Sequence, residues 1–316
     1  MAATCFVHIH GRGPKPDATS LQALWLEALR CGLERFRHEH LAAFDRTTHR
    51  FVFYGDLTHA SLAAADAEFD ARLDLEDRRF ALDRLKAMKR KAFGSRGGYE
   101  RLPGRSSFGE FLADAGLPMM RRLNLSDSVL QRVVPDIHRY LLDREGVGHA
   151  VRERVLAALE HAFATEHEVI VIAHCLGSVA AFDALWALSR TDAFPWYRGT
   201  KVRLLLTLGS PLGDETVKTR LLGSERTGVA RFPCNIVQWV NLTAEDDYVS
   251  HDNTVADDYR DMLKHRIVSR IDDHRIHNFA IRYGRSNPHS AVGYLIHPKT
   301  AQALAMVLDR EVIGSS

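Results

Sequence analysis

The longest uninterrupted apolar run in the chain's clearest strand-like segment is Val169-Ile170-Val171-Ile172-Ala173, five residues that predict a strand buried on both faces. His174-Cys175-Leu176-Gly177-Ser178 follows at once, and then Val179-Ala180-Ala181-Phe182-Asp183-Ala184-Leu185, a helix-forming stretch. The pattern predicts a strand that turns sharply into a helix with Cys175 at the bend. Ala173 and Gly177 are the small neighbours such a bend needs, because the helix must pass close to the strand.

Shorter runs extend this scheme. Residues 6–9 predict a strand left by the loop His10-Gly11-Arg12-Gly13-Pro14. Leu21, Leu24, Trp25, Ala28 and Leu29 repeat at helical spacing behind Ser20, a candidate cap. Strands are expected over 50–54, 201–208 and 235–241, with a weaker one over 276–283, and a closing helix over 300–308. Alternating strands and helices predict an α/β fold, a mostly parallel sheet flanked by helices.

Between residue 56 and the strand at 168 the chain runs far beyond the usual connection of about 4–6 residues. This stretch is expected to hold helices over 62–93, with Phe69, Leu73, Phe80 and Met88 on one stripe, over 126–142 with a break at Pro135, and over 149–164. The division expected is a core of residues 1–56 and 149–316 with a helical cap or lid insertion at 57–148. The Gly- and Arg-rich stretch 94–107 within it is expected to be mobile.

Composition narrows the picture modestly. The 316 residues are 46% hydrophobic and carry a formal charge of +2, which suits one sizeable domain and implies neither nucleic acid nor an anionic membrane. Cys5, Cys31, Cys175 and Cys234 are scattered, with neither zinc spacing nor a disulfide framework. With no secretory signal pattern and no apolar stretch near the roughly 18 residues of a membrane span, a cytoplasmic protein is expected. Residues 84–105, with Arg84, Lys86, Lys89, Arg90, Lys91, Arg96 and Arg101, read as a solvated basic face or as a place for an anionic partner.

Acyl transfer needs a nucleophile, an imidazole to move its proton, a carboxylate to orient the imidazole and donors for the oxyanion. Cys175 is the candidate nucleophile. Asp247, in the acidic loop after the strand at 235–241, is the candidate acid, with Asp246 and Asp252 as competitors. His289, in the turn-rich Ser286-Asn287-Pro288-His289-Ser290, is the candidate base, with His274, His277 and His297 as competitors. Backbone N–H groups of Leu176 and of the Gly11–Arg12 loop are the candidate oxyanion donors, and Arg12 could also meet an anionic group of a substrate.

These residues together resemble the α/β-hydrolase superfamily, and more closely its lipase/esterase-like branch, with cysteine where serine normally stands. The resemblance rests on Ile172-Ala173-His174-Cys175-Leu176-Gly177-Ser178, Leu206-Thr207-Leu208-Gly209-Ser210-Pro211-Leu212, Trp239-Val240-Asn241 ahead of Asp247-Tyr248-Val249-Ser250, and His289-Ser290. It implies an α/β-hydrolase fold with the order nucleophile, acid, histidine, and neither metal nor organic cofactor. The activity it implies is cleavage of an ester or thioester of a small or lipid-like acyl substrate. An acyltransferase using the same residues, or a catalytically silent binding protein, are the other readings.

Overall fold

A computed structural model describes residues 4–57, 69–104, 135–142, 146–250 and 254–313. In chain order the main elements are β1 (Thr4–Ile9), α1 (Ala18–Phe36), β2 (Thr48–Val52), α2 (Ala71–Ala87), α3 (Pro135–Leu142), α4 (Val147–Thr165) and β3 (Glu168–His174). There follow α5 (Leu176–Arg190), β4 (Val202–Leu208), β5 (Ile236–Ala244), β6 (Arg270–Ile276), β7 (Ile281–Arg282), β8 (Arg285–Ser286), α6 (Ala291–Leu295) and α7 (Pro298–Ile313).

Six strands form one parallel sheet in the order β2-β1-β3-β4-β5-β6. Helices cover both faces, so the chain has the α/β architecture that its alternating pattern predicts. Strand order reverses between β1 and β3, where Ile9 lies opposite Ala173. In open α/β sheets the crevice beyond the carboxyl ends of the strands at such a reversal is where ligands bind.

Alternation along β3 divides the core. Val169, Val171 and Ala173 face a layer built with Val151, Val155 and Leu159 of α4 and Val179 to Leu188 of α5. Ile170 and Ile172 face the opposite layer, with Trp25 and Leu29 of α1, Leu82 and Leu85 of α2, Tyr294 of α6 and Leu304 of α7. No helix among the described residues is long and apolar enough to cross a membrane.

Several expectations need correcting. Asp17, not Ser20, caps α1, its carboxylate accepting the Ser20 N–H at 2.8 Å. The described part of the helix expected over 62–93 is α2, capped by Asp70, whose carboxylate accepts from the Arg72 and Leu73 N–H groups, and ending where Met88 turns extended. Its buried positions are Asp74, Ala81, Leu82 and Leu85, while Leu73 and Phe80 are exposed. Residues 62–68, 105–107 and 126–134 lie outside the described residues.

Within the stretch 94–107 expected to be mobile, the described residues 94–104 pack onto the core, beginning just after Phe93. Phe93 and Tyr99 are buried, and the Tyr99 hydroxyl donates to the Glu245 carbonyl at 2.7 Å. Among the basic residues of 84–105, Lys86 is bonded to Glu27, and Arg96 to Glu100 at 2.8 Å. In place of a strand over 276–283 the chain forms β6 just before it and the small antiparallel pair β7–β8.

Candidate active site

The bend after β3 places Cys175 at φ 54° and ψ −124°, a conformation costly for a residue with a Cβ, by about 1–3 kcal/mol. Hydrogen bonds hold it there. Its N–H donates to Leu208 O at 3.0 Å, and its carbonyl accepts from the Ser178 N–H at 2.9 Å and from Ser178 Oγ at 2.5 Å. Ser178 Oγ in turn lies 2.7 Å from Ser210 Oγ, which ties the elbow to the loop after β4.

Glycine is required at two of the close approaches. A Cβ on Gly177 would lie 2.5 Å from the His10 carbonyl oxygen and 2.7 Å from that of Ile9, so α5 could not pass β1 at this distance. A Cβ on Gly11 would lie 2.4 Å from His174 Nδ1 and 2.9 Å from Cys175 Cβ. The loop after β1 therefore rests directly on the bend.

That loop is braced by a histidine of fixed tautomer. His10 Nε2 accepts the Tyr54 N–H at 3.0 Å, which leaves the proton on Nδ1 to be donated to the Gly11 carbonyl at 2.7 Å. Complete burial and then the charge of Lys15 hold the His10 pKa well below its usual value, in keeping with a neutral ring. The Tyr54 hydroxyl also donates to the His10 carbonyl.

Asp247 follows β5 and is buried, whereas Asp246 is exposed at positive φ; Asp252 lies outside the described residues. His289 Nδ1 is 2.9 Å from each Asp247 oxygen. The carboxylate also accepts from Tyr294 Oη at 2.6 Å and from the Val249 N–H at 3.0 Å. Burial opposes its charge, but the His289 imidazolium and these donors outweigh that and hold its pKa at about 2.

His289 precedes α6 and keeps about a fifth (21%) of its side-chain surface exposed. Its Nε2 is buried with no hydrogen-bond partner among the described residues, and it couples electrostatically to the Cys175 thiol. Burial disfavours the imidazolium, yet Asp247 first and the thiol second stabilise it, and its pKa is pushed up to about 10. Burial likewise works against a thiolate at Cys175. The nearby charge of His289, then the charge and backbone N–H of Arg12, prevail and lower the thiol's pKa.

The arrangement thus favours a thiolate–imidazolium pair. It brings together Cys175, His289 and Asp247 with the Gly11–Arg12 loop. Of the two loop residues, Arg12 presents its N–H to the sulfur, while Gly11 contributes by lacking a side chain. Leu176 is the first residue of α5, where helix N–H groups have no intrahelical acceptor. His274 is on β6, and His277 and His297 line a different cavity beside Arg90 and Lys91.

Sequence reasoning missed the supports. Tyr294 bonds Asp247 and also accepts the Ala244 N–H at 2.8 Å. Asn278 Nδ2 donates to the carbonyls of Pro288 and Ser290, the residues on either side of His289, at 2.8 and 2.9 Å. The Asn278 amide occupies the place of a side chain at Gly293, where a Cβ would lie 1.7 Å from Oδ1. The one available signal was position: Tyr294 and Gly293 follow His289 within a helical turn or two.

A cavity of about 260 Å³ opens beside His289 and the Gly11–Lys15 loop. Among the described residues no group of three or more His, Cys, Asp or Glu side chains is placed to hold a metal ion. All four cysteines are free thiols. The chain matches no protein-family model and no curated protein, so its function has to be argued from this geometry.

Proposed function

We propose that the chain is an acyl hydrolase of the α/β-hydrolase type, cleaving an ester or thioester through Cys175, His289 and Asp247. The observation that carries this reading is the buried carboxylate–imidazole–thiol line, in the chain order nucleophile, acid, histidine, at the reversal of the sheet.

The Cys175 thiolate attacks the substrate carbonyl carbon, and an electron pair collects on the carbonyl oxygen, held by the N–H groups of Arg12 and Leu176. As the bond to the leaving group breaks, the leaving group takes the proton from His289 Nε2. Water then attacks the thioester and gives a proton to the same nitrogen. Collapse releases the carboxylic acid and returns the electron pair to sulfur. Asp247 holds the ring and stabilises its charged form throughout.

Intact-mass spectrometry after exposure to activated esters and thioesters tests the reading. One acyl adduct is expected, mapping to Cys175 and blocked by prior treatment with iodoacetamide. Absence of an adduct across the panel, or an adduct that survives Cys175→Ala, refutes it.

A further inference from the structure

The cavity beside His289 has a charge pattern that the acyl steps leave unused. Arg12, Lys15, Arg78 and Arg282 all line it, and among the described residues no carboxylate does. Arg78 and Arg282 are held from behind. Asp74 accepts from Arg78 Nε at 2.6 Å and from Arg282 Nη2 at 2.7 Å, and Asp77 accepts from Arg282 Nε.

Both guanidinium groups are deeply set, with side-chain exposures of 13% for Arg78 and 7% for Arg282. Each uses Nε and Nη2 on the aspartates, and each keeps Nη1 without an acceptor among the described residues. Among the described residues Asp74 and Asp77 are the carboxylates bonded to these two guanidinium groups, and Arg12 adds a further positive charge to the wall. Burial and the neighbouring Arg282 both work against the charge on Arg78, a tension that an anion in the cavity would relieve.

Building on the acyl reading above, we propose that this cavity binds a carboxylate or phosphate group carried by the acyl substrate itself. The substrate class is then a short acid, esterified or thioesterified at one end and ionised at the other. Guanidinium groups with free N–H pairs suit such oxygens because they bond them in a fork. Size agrees, since about 260 Å³ lies below the roughly 300–1,000 Å³ of pockets for drug-sized ligands. Leu21 and Trp25 are the large apolar side chains in the wall, too few to follow a long aliphatic chain.

Two thioesters of N-acetylcysteamine with equal acyl length, succinyl and butyryl, separate this from its alternatives. For the full chain kcat/KM is expected to be at least about tenfold higher with succinyl, as charge-assisted bonding requires. The advantage should shrink as salt rises from about 50 to about 500 mM. Arg78→Gln is expected to cut the preference to within about threefold. As a measure free of turnover, the Cys175→Ala protein should bind succinate saturably by calorimetry and not bind succinamide.

Equal or better turnover of butyryl, with acylation of Cys175 by both thioesters, overturns the anion site and leaves the acyl reading standing. Acylation by neither, with saturable binding of succinate, overturns the acyl reading and with it the substrate class, while leaving the anion site. Failure of succinate to bind the Cys175→Ala protein overturns the anion site whatever the kinetics.

Discussion

Two buried ionic clusters reach the same cavity, one through His289 and the other through Arg78 and Arg282, and they are built from chemically different partners. In one, Asp247, His289 and Cys175 are groups whose protons can move, and their mutual contacts pull the imidazole pKa up to about 10 and the thiol's down. In the other, Asp74 and Asp77 face Arg78 and Arg282, cations that keep their charge at any working pH. The first cluster can exchange a proton with a bound molecule; the second supplies a fixed field. On the proposed function, placing them together gives one cavity both a reactive edge and a polarity.

The sharpest break in the comparison is removal of the sulfur. Cys175→Ala is expected to lower acyl turnover by about 10⁴-fold or more, measured as kcat, with the fold retained by circular dichroism. Next comes the fixed cluster. Asp74→Ala strands the buried Arg78 guanidinium, leaves Arg282 with Asp77 alone, and should cost about 3–5 kcal/mol of stability in a denaturant titration. If that variant unfolds at the parent's denaturant concentration, Asp74 does not hold the two guanidinium groups.

Asp247→Asn tests how far the mobile cluster depends on its carboxylate. Turnover is expected to fall by about 10²–10³-fold. In the parent, kcat/KM should rise with pH as Cys175 ionises below its ordinary range and fall near pH 10, where His289 loses its proton. Without the Asp247 charge the imidazolium is less stable, so the alkaline limb moves to lower pH. A profile left in place by the substitution would show that Asp247 does not hold the ring.

Tyr294→Phe is the mildest change. It deletes the 2.6 Å bond to Asp247 and leaves the Ala244 N–H without its acceptor, for a cost of about 1–3 kcal/mol in stability. Less support for the carboxylate also raises its pKa, and kcat should drop by about tenfold or less. Thermal melts and steady-state kinetics read the two effects separately.

How legible these parts were in the chain follows from their physics. A strand covered on both faces must be apolar throughout, so Val169 to Ala173 stood out, and the bend with Cys175 and Gly177 came with it. The edge strand β6 has a partner on one side and reads Arg-Ile-Asp-Asp-His-Arg-Ile. Its Asp273 serves the structure by accepting from Asn241, Val255 and Ala256, so a polar residue marks a strand that hydrophobicity does not reveal.

The two clusters differ in the same way. Asp247 and His289 sit in loops at the carboxyl ends of strands, where chain order can find them. Asp74 stands on a helix whose apparent apolar stripe included Leu73 and Phe80, both exposed. Its burial is set by a partner, Arg282, more than 200 residues away, and no local pattern among 42 lysines and arginines singles that one out.

The seat of Asn278 against Gly293 links two positions that share no chemistry. Any side chain at 293 would collide with the amide that grips the peptide groups around His289. Descendants of this fold are therefore expected to change the two positions in concert, so that loss of the asparagine alone frees 293 to vary, whereas a bulkier 293 compels a new anchor for the histidine turn.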